Sequence, residues 1–144
     1  MEFFDQFDHT IDDKGRLILP AAYRDAFVGG GFLTFMGRSV GLFTEDGFDK
    51  HRRKLGLSGS FTRKDLQQLM ALTTPFKPDA QHRVSISSKL RERVQLGREV
   101  TVAGQGSHAA IFPREVWYAS EAESEEPDES GLTLADKFDV LDFL

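Results

Sequence analysis

An α+β fold, built from one β-β-α-β-β unit written twice, is predicted by three observations. Residues 11–27, IDDKGRLILPAAYRDAF, set a charged turn, a short apolar strand and the start of a helix side by side, and a related stretch, PDAQHRVSISSKLRERV, follows at residues 78–94. The copies align at a single offset of 67: Asp12 falls on Asp79, Arg16 on Arg83, Tyr23 on Leu90, Phe27 on Val94, Thr34 on Thr101 and Gly37 on Gly104. After a slip of two residues, Leu42 and Phe43 fall on Ile111 and Phe112, and Phe48 on Trp117. Third, the apolar spacing between the copies changes from strand-like to helical. Two units are fewer than the three or so that a solenoid requires. They are expected to pack on each other as one pseudo-symmetric small β-barrel body with linker helices.

Each element has a local reason. Residues 3–11 alternate loosely, with Phe7, His9 and Ile11 on one side, as a half-buried strand does. Asp12-Asp13-Lys14-Gly15 reads as a tight turn in which Gly15 can take a positive φ, and Leu17-Ile18-Leu19 resumes as the second arm of a hairpin. Pro20 presets φ for a helix over residues 21–27, where Tyr23 and Phe27 share a face, and Gly29-Gly30-Gly31 ends it. Strands over 32–36 and 41–44, around Gly37-Arg38-Ser39, complete the unit. Asp46 is the expected cap of a helix reaching Leu55 and closed by Gly56; Thr62 and Asp65 have the spacing of a capping box for a second helix carrying Leu66, Leu69 and Met70. In the second copy Gln81-His82 replaces Lys14-Gly15, and Ser87 replaces Pro20. The expected organisation is a first unit at 3–50, a helical linker at 51–74, a second unit at 75–118 and an acidic tail at 119–144. Within the tail, 120–131 reads as a disordered linker and 132–144 as a helix carrying Leu134, Phe138 and Leu141.

Several function classes are disfavoured. The chain has no cysteine, so thiolate chemistry, thiolate metal sites and disulfides are out of reach. His9, His51, His82 and His108 are scattered, without ligand-pair spacing. The glycines at 29–31 follow a predicted helix rather than a strand, which is wrong for a phosphate-binding loop. No catalytic residue, metal, cofactor or small-molecule substrate is expected, and the chain is not read as an enzyme. The acidic start MEFFDQFD lacks the features of a signal peptide, and no apolar run approaches the roughly 20 residues of a membrane span. A cytoplasmic protein without a membrane partner is expected.

The net charge of −5 conceals an asymmetry: residues 119–144 hold nine acidic side chains against Lys137 alone, a net of −8, which leaves +3 on residues 1–118. The charged turns have a common DxxxR form, Asp12 to Arg16 and Asp79 to Arg83. A carboxylate at that spacing can hold the arginine in one direction at a hairpin tip, which suits phosphate contact and guanine readout; it can equally form a surface ion pair that only tidies the turn. Recurrence at the same place in both copies favours the first reading. The basic groups at Arg52-Arg53-Lys54 and Arg63-Lys64 read as a solvated helix face or intersubunit salt bridges; Arg91, Arg93 and Arg98 read alike, with phosphate contact as their other use.

DDKGRLILPAAYR, with DAQHRVSISSKLR half a chain later, resembles the MraZ family of bacterial regulators of the division and cell-wall gene cluster. The resemblance spans most of residues 3–118, from Asp12, Lys14, Gly15, Arg16, Pro20 and Arg24 to Asp79, Arg83, Leu90 and Arg91. It implies two AbrB/SpoVT-like swapped-hairpin units and a DNA-facing surface formed by Asp12, Lys14, Gly15, Arg16, Asp79 and Arg83. It also implies a ring-like homo-oligomer bound to repeats in its own promoter as double-stranded DNA, and hence nucleoid association. The alternative is a protein-interaction scaffold in which the DxxxR pairs are purely structural.

Overall fold

In the computed structural model, which describes residues 2–141, the first copy runs β1 (Gln6–Thr10), β2 (Arg16–Ile18), two 3-10 turns (Ala21–Tyr23 and Asp25–Phe27), β3 (Gly31–Phe35), β4 (Val40–Phe43) and α1 (Glu45–Leu57). After α2 (Arg63–Ala71), the order repeats as β5 (Thr74–Phe76), β6 (Arg83–Ser85), α3 (Ser88–Val94), β7 (Glu99–Gly104), β8 (Ala109–Pro113) and α4 (Arg114–Ser124), followed by α5 (Leu134–Leu141). The offset of 67 carries β2 onto β6, and the paired 3-10 turns onto α3, residue for residue. The two-residue slip is absorbed by the longer arms of the β7–β8 hairpin.

The copies are interleaved rather than merely adjacent. A six-stranded antiparallel sheet has the order β1-β7-β8-β4-β3-β5, while β2 and β6 leave it to pair with each other as a two-stranded ribbon. The opening strand of each copy therefore joins the hairpin of the other: β1 pairs with β7, and β5 with β3. The expected closed barrel is not formed by the described strands. The two hairpins meet only through β4 and β8, and the opening strands of the copies, β1 and β5, form separate edges rather than a seam between them. Pro75 within β5 suits an edge, because it has no N–H to offer a further strand.

One core fills the body Met1–Pro113. Leu17 and Leu19 with Val84 and Ile86 come from the two ribbon arms, Tyr23 and Phe27 with Leu90 and Val94 from the segments after them, and Leu33, Leu42, Val100 and Ile111 from the sheet. These are matched positions of the two copies, so the core inherits the repeat. Phe3 breaks the symmetry by stacking on Phe27 and meeting Tyr23 edge-on, with centroids 5.4 and 5.2 Å apart. The buried Thr34 and Thr101, also matched, each hydrogen-bond beyond their own hairpin: Thr101 donates to Asp8 of β1 at 2.8 Å, and Thr34 lies 2.8 Å from the Thr73 hydroxyl just ahead of β5.

Several local expectations are corrected. Residues 21–27 form 3-10 turns rather than an α-helix, with Tyr23 N–H donating to Pro20 and Phe27 N–H to Arg24. The cause is Pro20, which has no side-chain acceptor for the first turn; at the matched position Ser87 accepts the Leu90 N–H at 3.2 Å, and a regular α3 follows. Thr44, not Asp46, caps α1 by accepting the Gly47 N–H at 3.1 Å, and α1 runs through Gly56 to Leu57. The capping box is present at α2: Asp65 N–H donates to Thr62 at 3.1 Å and Thr62 N–H to Asp65 at 2.9 Å.

Residues Arg114–Leu144 form a second body. Its α4 continues to Ser124, so 120–124 are helical rather than linker, and Asp128 organises the following turn by accepting from Ser130 and pairing with Lys137. Thr133 and Asp136 exchange cap bonds at the start of α5. The expected end of that helix, 142–144, lies outside the described residues. No helix among the described residues is long and apolar enough to cross a membrane.

Candidate nucleic-acid interface

The two DxxxR turns have the same geometry bond for bond. In the first, Asp12 Oδ1 accepts the N–H groups of Lys14 and Arg16, both at 2.9 Å, and its Oδ2 accepts Arg16 Nε at 2.8 Å. In the second, Asp79 Oδ1 accepts the N–H groups of Gln81 and Arg83 at 2.9 Å, and its Oδ2 accepts Arg83 Nε at 2.8 Å. The Arg16 N–H above all, and then its guanidinium and the Lys14 N–H, hold the Asp12 carboxyl below its ordinary range; Arg83 and Gln81 do the same for Asp79. Both carboxylates stay charged and both guanidinium groups stay aimed. Because the carboxylate takes Nε, the terminal nitrogens of each guanidinium remain to face a ligand.

The ribbon brings these arginines together. In β2, Leu17 is fully buried, so Arg16 and Ile18 share the opposite, outward face; in β6, Val84 is buried and Arg83 and Ser85 face outward. The register sets Arg16 opposite Ser85 and Ile18 opposite Arg83. The arginines are thus diagonal neighbours, and such pairs lie about 7–8 Å apart, with their Cβ atoms somewhat closer. Reciprocal bonds clamp the ribbon to the turns, from Leu19 N–H to His82 and from Ile86 N–H to Gly15, each at 2.9 Å.

Two further cations complete the face, and each comes from the opposite copy. Arg91 Nε donates to the Ile86 carbonyl at 3.0 Å, and its guanidinium lies over Gly15: a Cβ placed there would meet it at 2.9 Å. Gly15 has a φ of +77°, so glycine serves this turn both by conformation and by close approach. Arg24, the counterpart of Arg91, donates from Nε to the Leu19 carbonyl at 3.1 Å and lines a hollow with Asp79 and His82. His82 occupies the glycine position at a φ of +61°.

All six sequence-predicted residues, Asp12, Lys14, Gly15, Arg16, Asp79 and Arg83, therefore lie on the β2–β6 ribbon or its turns. Residue spacing alone did not single out Arg24, Arg91 or Ile18 as part of this face. The common offset of Arg24 and Arg91 was the available signal, but their placement depends on the interleaving of the copies. Some other basic residues lie apart from the ribbon: Lys50, Arg53 and Lys54 of α1 line a cleft of about 740 Å³ that includes no ribbon residue, and Arg93 lies 5.3 Å above the Phe35 ring. Arg98 lies beside the first turn, 3.9 Å from Asp13. Among the described residues no cluster of three or more His, Cys, Asp or Glu side chains could hold a metal ion.

Comparison with known proteins points the same way as the repeat. The family described as "MraZ protein, putative antitoxin-like" matches residues 3–62 and 69–138. A transcriptional regulator MraZ of Mycolicibacterium smegmatis is 32% identical over 128 residues, covering 86% of this chain and 90% of the relative. Those of an Arthrobacter species and of Thermomicrobium roseum are 35% and 36% identical, covering 80% and 81% of this chain and 84% and 85% of the relatives. These relatives are named as transcriptional regulators and not as enzymes. With both copies matched and relatives of this similarity spanning most of its length, the chain belongs to the MraZ family.

Proposed function

We propose that the chain is a sequence-specific DNA-binding transcriptional regulator that acts at its own promoter in the division and cell-wall gene cluster. The observation that carries this reading is the outward face of the β2–β6 ribbon, with Arg16 and Arg83 each fixed through Nε by a carboxylate at 2.8 Å. A two-stranded ribbon fits the major groove, and a guanidinium with free terminal nitrogens matches guanine O6 and N7. Arg16 and Arg83 read bases; Asp12 and Asp79 orient them. Lys14, with Arg24 and Arg91 at the flanks, meets phosphate, and Gly15 keeps the first turn low enough for Arg91 to cross it.

The two turns being alike in geometry supports a DNA-facing role for both copies, despite Gln81 and His82 in the second. The exchange of β1 and β5 between hairpins supports the swapped-hairpin reading of each unit. A charge of +3 on residues 1–118 gives few phosphate contacts per chain, which favours a ring-like homo-oligomer bound to short promoter repeats, where effective concentration multiplies weak contacts. Such a protein works in the cytoplasm, associated with the nucleoid.

A gel shift with the fragment upstream of the chain's own gene, against unrelated DNA of equal length and with solution mass measured alongside, tests the reading. Selective, salt-dependent retardation by a species larger than one chain is expected. Equal affinity for both DNAs would remove sequence specificity, and no retardation of either would leave the scaffold alternative.

A further inference from the structure

We propose that Ile18 is a specificity-determining residue that packs against the 5-methyl group of a thymine beside the guanines read by Arg16 and Arg83; this rests on the DNA reading above. Ile18 is 47% exposed, although its neighbours Leu17 and Leu19 are almost wholly buried. Its direction is imposed by the strand period, which sends Leu17 into the core and Ile18 out on the side of Arg16. In register it lies opposite Arg83, so one branched apolar side chain sits among two fixed guanidinium groups on an otherwise polar face. Water gives it no reward there.

The chemistry of the major groove supplies the partner. Its floor presents hydrogen-bond donors and acceptors from all base pairs, and its characteristic apolar group is the thymine methyl. A ribbon lying in the groove with arginines at guanines would set Ile18 against the neighbouring base edge. The matched residue in the other copy is Ser85, opposite Arg16, which offers a hydroxyl and no apolar surface. The two halves of the ribbon therefore read unlike bases, and one chain recognises an asymmetric DNA step although its fold is pseudo-symmetric.

Substituting deoxyuridine for thymine tests this, because the pairing is kept and only the methyl is lost. Binding to the upstream fragment is measured with thymine and with deoxyuridine throughout, for the wild type, Ile18→Ser and Ser85→Ile. The wild type is expected to favour the thymine DNA by roughly fourfold per contacted methyl, the equivalent of about 0.8 kcal/mol. Ile18→Ser should still bind selectively but lose the preference, and Ser85→Ile should increase it. A wild type indifferent to the methyl, or an Ile18→Ser protein that keeps the preference, would overturn the role of Ile18 while leaving the arginine readout standing. Failure of the wild type to bind either DNA would overturn both.

Discussion

Gly15 and His82 hold the same place in two turns of the same geometry, and they make opposite demands on the chain. Gly15→Ala forces a Cβ into the left-handed region at a φ of +77° and against the Arg91 guanidinium. A loss of about 1–2 kcal/mol in denaturant unfolding is expected, together with weaker DNA binding because Arg91 must move. His82→Gly should do the reverse for stability, a gain of about 0.5–1 kcal/mol once the greater freedom of unfolded glycine is subtracted. The pair of DxxxR motifs was legible in the sequence because a carboxylate and an arginine four apart close the same turn whatever lies between. The interchangeability of Gly15 and His82 was not legible: a histidine at a turn position gives no sign that it will take a left-handed conformation. Lys14 is exposed at the tip and makes its proposed contact by charge alone. Lys14→Ala should reduce the slope of log affinity against log salt by about 1 for each engaged subunit and weaken all sequences alike.

At the level of elements, α1 is held to the sheet by a ring stack in which Phe43 of β4 lies between His51 of α1 and His108 of the β7–β8 turn, with centroids 4.6 and 4.5 Å away. Burial lowers His108 to about 4, helped by the charges of His51 and Lys54, and burial also lowers His51. Both imidazoles are neutral in the folded protein at neutral pH, whereas in the unfolded chain they protonate near the ordinary 6.5. The unfolded state thus binds protons first. Stability should be full above about pH 6.5 and fall as the pH drops from there towards 4; urea midpoints across that window check it, and His108→Gln should flatten the decline. The helices were largely legible from apolar period and caps, the Thr62–Asp65 box most directly. The expected hairpin of residues 3–11 with 17–19 is not formed: β1 pairs with β7 and β2 with β6, and a single Ile11–Leu17 bridge is all that joins them. Pro20 was misread, because proline favours the first turn of a helix in general, yet here it removes the cap that the matched Ser87 supplies. Strand partners were beyond reach: alternation says which face of β1 is buried, but nothing local says that it belongs beside β7 rather than β3.

The whole molecule is one body made by exchange and one acidic body after it. Exchange ties the copies together, since each sends its opening strand to the other and each DxxxR turn lies beside an arginine of the other half. The duplication was legible from one offset, while the composite basic face appeared only once the strands were placed. Residues 119–144 carry −8, a charge that opposes any polyanion within about a Debye length of them. Removing them after Tyr118 should tighten DNA binding at low salt, with the gain shrinking as salt screens the charge. Unchanged affinity at low salt would leave the acidic body without that effect. The central claim is that the ribbon arginines read DNA. It is tested most directly by titrating the upstream fragment with wild type, Arg16→Ala, Arg83→Ala and the double variant at one salt concentration, with circular dichroism and mass recorded for each. The predicted result is a loss worth about 1–3 kcal/mol per engaged arginine, greatest in the double variant, with fold and assembly unchanged. Undiminished selective binding by a folded double variant would contradict it.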